Sequence, residues 1–108
     1  MRKIIGLIIV LALVIIGIVG YFSYLNWKEF ETAKEACIKA CIQAKNEERN
    51  LNDGPCLSNR IIDNWVCDVA HSPREPIDDV TENQCIEYGK TAFHFVEVDP
   101  NCNFIRAL

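Results

Sequence analysis

The sequence is poor in the features that most functions require. After Leu25 the remaining 83 residues carry nine Lys or Arg against fifteen Asp or Glu, which argues against the basic surface a nucleic-acid binder uses on phosphates. Those 83 residues leave no room for separate cofactor and substrate domains, and so exclude a large two-domain enzyme. None of the six cysteines stands in Cys-x2-Cys spacing. That removes the zinc knuckle and the thiol–disulfide exchange motif together. Cys67 and His71 could supply two metal ligands, but no second pair matches them. The Asp-x-Asp-x-Asp-Gly loop of an EF-hand is missing. There are no repeats, no low-complexity stretches and no Asn-x-Ser/Thr acceptor. No metal and no cofactor is therefore expected.

What is present is unevenly placed. Residues 1–25 hold 19 of the 54 hydrophobic residues and only two charges, Arg2 and Lys3. From Ile4 to Leu25 the only polar side chain is Ser23. As a helix this run would be about 33 Å long, enough for a hydrocarbon core of about 30 Å. Positive residues before it and aromatic Tyr21, Phe22, Tyr24 and Trp27 at its far end predict a single-pass anchor. Its N-terminus should be cytoplasmic and its C-terminal part extracytoplasmic. A cleaved signal peptide is the rival, but Ile18-Val19-Gly20 makes a poor cleavage site. A pilin-like leader is a third reading: pilins resemble this start, although they carry a polar or acidic residue early in the apolar run and this chain does not. The lipid bilayer is thus the first expected partner. Gly17 and Gly20 lack the Gly-x3-Gly spacing of a helix-packing motif.

Trp27 to about Glu48 has no Gly or Pro and predicts a helix, with Trp27, Phe30, Ala33, Cys37, Ala40, Cys41 and Ala44 on one face. Asn50 to Pro55 ends it with turn formers. Leu57–Val69 predicts a short extended piece with a turn at Asp63-Asn64. Ser72–Val80, with two prolines, predicts a loop. Thr81 and Gln84 have capping-box spacing, which predicts a short helix to about Tyr88 with Gly89 just beyond it. Thr91–Val98 and Asn103–Leu108 flank Asp99-Pro100-Asn101 and predict a C-terminal β-hairpin. The expected fold is α+β, divided into an anchor (1–25), a juxtamembrane helix (26–50) and a cysteine-rich domain (51–108) packed on that helix.

Cys37, Cys41, Cys56, Cys67, Cys85 and Cys102 predict three disulfides, because a domain this small buries too little surface to be secure without them. Cys37 and Cys41, four apart on one helix face, should each staple a different downstream segment. The remaining pairing stays open. Trp65 should fill the small core.

Chemistry could reside in the dense stretch Asp63–Pro76, in Glu82–Cys85 and in His94–Cys102. These segments resemble small archaeal-type proteins with an N-terminal membrane anchor and a cysteine-rich outer domain of uncharacterised function. The likeness covers about Gly54–Leu108 and implies a shared small fold without an activity. His94 to Pro100 is also similar to the late His, Glu and Asp-Pro segment of transglutaminase-like cysteine hydrolases. That resemblance implies Cys85 as nucleophile, His94 as base and Asp99 as orienting group. Cys85 stands only nine residues before His94, and the chain is too short for that family's usual sheet. A nucleophilic Cys85 would also leave an odd disulfide partner.

Candidate catalytic residues are His71, His94 and Glu97, and candidate binding residues are Asp68, Arg74, Asp78 and Asp79. Each has a plainer reading. His94 fits a core or strand-edge position beside Val96 and Val98. His71 reads as an exposed loop residue. Arg74 reads as a donor to Asp68 or Asp78, or as a surface charge. Asp68, Glu75, Asp78, Asp79 and Glu82 read as a solvated acidic surface. The expected function is a membrane-anchored extracytoplasmic module for binding or envelope assembly, with a protein partner at the cell surface and no nucleic acid. The alternatives are a small envelope hydrolase and a pilin-like filament subunit. The lack of a complete catalytic constellation favours a non-enzymatic role.

Overall fold

The computed structural model describes residues 1–108 and confirms an α+β fold: one long apolar helix, a four-stranded sheet and three disulfides. Helix α1 spans Arg2–Asn46. Its length follows from a sequence with no proline before Pro55 and no glycine between Gly20 and Gly54. The chain forms two compact units, Met1–Phe30 and Glu31–Leu108.

In the first unit every residue from 1 to 29 is exposed. The apolar side chains of Ile4–Leu25 are therefore exposed along the helix rather than packed in a core. By length and composition this helix is able to cross a membrane.

In the second unit the sheet runs β1 (Cys56–Ile62), β2 (Trp65–Val69), β3 (His94–Val98) and β4 (Phe104–Ala107), in that order. β1–β2 and β3–β4 are antiparallel hairpins, whereas β2 and β3 are parallel. The expected extended piece at 57–69 is thus a full hairpin, turning at Asp63-Asn64 with Asn64 at φ 71°. β2 is buried along its whole length, as a strand covered on both faces must be. One face packs on the last part of α1. There the small residues Ala33, Cys37, Cys41 and Ala44 are buried and let helix and sheet approach closely. Cys37–Cys67 ties the helix to the middle of β2, and Cys41–Cys102 ties it to the β3–β4 turn. The two helix cysteines staple separate segments, as their spacing requires. Trp65 is buried on this unit's core and stacks on His94 at 4.6 Å.

A parallel β2–β3 pair needs a long crossover. Here residues 70–93 make it without an α-helix. Short 3-10 turns occupy Pro76–Asp79 and Thr81–Asn83, and Cys56–Cys85 pins the crossover to edge strand β1. The helix expected from Thr81 to Tyr88 is absent. Gln84 is extended (φ −79°, ψ 151°), and its amide donates to the Asp78 carbonyl. A run this short does not repay helix nucleation, and the disulfide tethers Cys85 to β1. The capping box that forms is Glu75 with Asp78. Gly89 has a left-handed backbone, at φ 84°.

Candidate functional site

Strand alternation decides which side chains meet. On the parallel pair, Trp65, Cys67 and Val69 align with His94, Val96 and Val98 on the face toward α1. The opposite face receives Val66 beside Phe95 and Asp68 beside Glu97, and the β3–β4 register adds Arg106 next to Glu97. Asp68, Glu97 and Arg106 therefore form one row across three strands. The crossover folds over this face, with Cys85 packed on Val66 and Phe95. It leaves a cavity of about 200 Å³ lined by Asp68, Arg74, Gln84, Tyr88, Glu97 and Arg106 above an apolar floor.

Glu97 is only 6% exposed but well paired. It accepts from Arg106 Nε at 2.9 Å and Nη2 at 3.3 Å, and from Arg74 Nη1 at 3.3 Å. Arg74 is fixed from its other sides by Asp79 Oδ1 at 3.0 Å and the Asp78 carbonyl at 3.2 Å. Asp68 differs. It is 8% exposed, and its Oδ1 is buried without a hydrogen-bond partner. Burial, reinforced by the adjacent Glu97 charge, pushes its carboxyl up to about 7. The group can thus hold or release a proton near neutrality.

A second cluster braces the crossover. Asp78 is buried, and its Oδ2 accepts the backbone N–H groups of His71 and Glu75, each at 2.9 Å. Its Oδ1 lies 2.9 Å from His71 Nδ1. Burial alone would raise the Asp78 carboxyl. Those backbone donors and the His71 ring outweigh it and hold the group below the usual carboxylate range. His71 is therefore half-buried and bonded rather than an exposed loop residue. With Asp68 and Asp78 buried, the acidic residues do not form one solvated surface.

The candidates fall into separate sets. Asp68, Arg74 and Glu97 meet at the cavity, whereas His71 and Asp78 pair beside it. Asp79 sits on the outer side of Arg74. His94 is on the other face of β3, stacked on Trp65. Arg74 bonds Asp79 and Glu97 side chains rather than those of Asp68 or Asp78. Cys85 is held in the disulfide with Cys56, so the transglutaminase-like resemblance lacks its thiolate. No group of three His, Cys, Asp or Glu side chains is arranged to hold a metal ion. Sequence reasoning missed Arg106 and the Asp68–Glu97 neighbourhood. One signal was available: Asp68 is the lone charge in the apolar run Trp65–Val69.

No known protein family matches this chain, and neither a curated protein nor a solved structure matches it.

Proposed function

We propose that the protein is a membrane-anchored extracytoplasmic binding module, with residues 1–25 in the bilayer and the disulfide-braced domain outside. The observation that carries this reading is the fully exposed apolar helix at residues 1–29, joined to a domain whose six cysteines are all paired. In water those side chains would forfeit about 1.5–3 kcal/mol each relative to burial, and lipid removes that cost. Paired cysteines suit an oxidising compartment. The polar groups favour binding over catalysis, because Arg74 and Glu97 pair with each other and the His71 ring is bonded to Asp78.

Two measurements test the placement. The chain should resist alkaline carbonate extraction from membranes. An epitope at Leu108 should be digested by protease added outside intact cells. Release by carbonate, or an epitope protected until lysis, would overturn the reading.

A pilin-like filament subunit is the second reading. It is favoured by α1 running unbroken from Arg2 into the packed stretch around Cys37 and Cys41. It predicts sheared surface fibres that contain the chain, and fibre preparations without it would remove this reading.

A further inference from the structure

We propose that the cavity over Asp68 is a binding site for a small organic carboxylate, held by Arg106, Arg74 and the Asp68 carboxyl with its apolar part along Val66, Tyr88 and Phe95. This deepens the binding-module reading and rests on it for biological context, but its chemistry does not depend on the membrane.

The first support is the orphaned Asp68 Oδ1, buried at the cavity and without a partner in the protein. A buried polar oxygen left alone costs about 1–3 kcal/mol, so a ligand that completes its bonding gains directly. The second is the sign of the charges facing Asp68. Glu97 comes from β3, Arg106 from β4, and Arg74, Asp78 and Tyr88 from the crossover. Asp78 is engaged by His71 and turned into its own loop. Among the groups lining the cavity, two guanidiniums stand against the carboxylate of Glu97 while Asp68 is protonated, and Asp79 pairs with Arg74 from outside the cavity. A cation entering would meet both arginines. A carboxylate would meet both arginines and a carboxyl O–H donor.

The third support is shape. Arg106 is 59% exposed at the rim and commits only its Nε–Nη2 edge to Glu97. Its guanidinium carbon lies 5.3 Å from the Phe95 ring centre. Tyr88 and Phe95 meet edge to face at 5.4 Å. These rings and Val66 give one apolar wall below a polar head site, the usual build of a small-molecule pocket.

Protonation gives the site a signature. With Asp68 titrating at about 7, the binding-competent fraction falls about tenfold between pH 6 and pH 8, and apparent affinity falls with it. The test uses the full chain in nonionic detergent micelles, titrated with benzoate, benzamide and benzylamine. Backbone amide resonances of Asp68, Phe95, Glu97 and Arg106 report binding. At pH 6 benzoate should bind more tightly than either analogue, and about tenfold more weakly at pH 8. Asp68→Asn keeps an N–H donor and should retain binding while flattening the pH profile. Arg106→Gln should weaken benzoate about 10-fold or more, the loss of a charge-assisted hydrogen bond. No shifts at these amides at pH 6, tighter binding of benzylamine, or an unchanged pH profile in Asp68→Asn would each overturn the proposal. None of these results bears on membrane placement, so the two readings fail separately.

Discussion

Asp68 should make this domain less stable as the pH rises from about 4 to 7. Its carboxyl titrates at 3.8 in the unfolded reference and at about 7 in the folded state. In that window the folded protein binds more protons than the unfolded one, so stability is lost with increasing pH. At 1.36 kcal/mol for each pH unit between the two values, the loss amounts to about 4 kcal/mol by pH 8. The residue is almost fully buried, so solvent screening takes little from this figure. Asp68→Asn removes the titration and leaves the shape nearly unchanged. The assay is urea unfolding of the full chain in micelles from pH 4 to 8.5, with all disulfides intact. Trp65 fluorescence is followed in a Trp27→Phe background. The advantage of Asp68→Asn over its parent should be least near pH 4, grow steadily to pH 7, and level off by pH 8. Asp78 and Asp99, whose folded carboxyls titrate below 3.8, contribute stability present above that pH and lost as pH falls through their folded values. Their effect lies outside this window and cancels in the difference. An advantage that stays constant across the range would refute the reasoning, because Asp68 would then be no harder to ionise folded than unfolded.

Two further predictions follow from the crossover. Gly54 sits at φ 66°, and a Cβ there would lie 2.6 Å from Asp78 Oδ1 and 3.2 Å from the Val69 carbonyl. Gly54→Ala should therefore cost about 1–3 kcal/mol in the urea midpoint and loosen the His71–Asp78 pair; a neutral result would mean that the loop has room to shift. Replacing Cys56 and Cys85 together by Ser should cost about 2–4 kcal/mol and free the crossover. Amide exchange across residues 76–92 reads this out, and unchanged protection there would show that the disulfide does not hold the segment.

Much of the architecture was legible along the chain. The unbroken apolar run, the helical spacing of Ala33, Cys37, Cys41 and Ala44, and the turn residues at Asp63-Asn64 and Asp99-Pro100-Asn101 are local signals with local consequences. The separate stapling by Cys37 and Cys41 was legible too, since two side chains four apart on one helix point the same way. The short helix after Thr81 was misread because capping-box spacing says only that a helix could start. It does not say that Cys85 will be tethered to Cys56 across the sheet, or that Gln84 will be drawn to the Asp78 carbonyl.

The site itself was decided by tertiary structure. An apolar N-terminal helix and a small cysteine-braced α+β domain were readable from the chain alone. Residue type and spacing are enough for those. Only the fold decided that β2 and β3 run parallel and in a register that sets Asp68 beside Glu97, with Arg106 next in the row. That pairing joins residues 29 positions apart, through a crossover whose path no periodicity encodes. Side chains alternate along a strand, so a slip of one residue would have turned Asp68 toward the helix and Cys67 away from it. The Cys37–Cys67 bridge locks the register that places the carboxyl in the cavity.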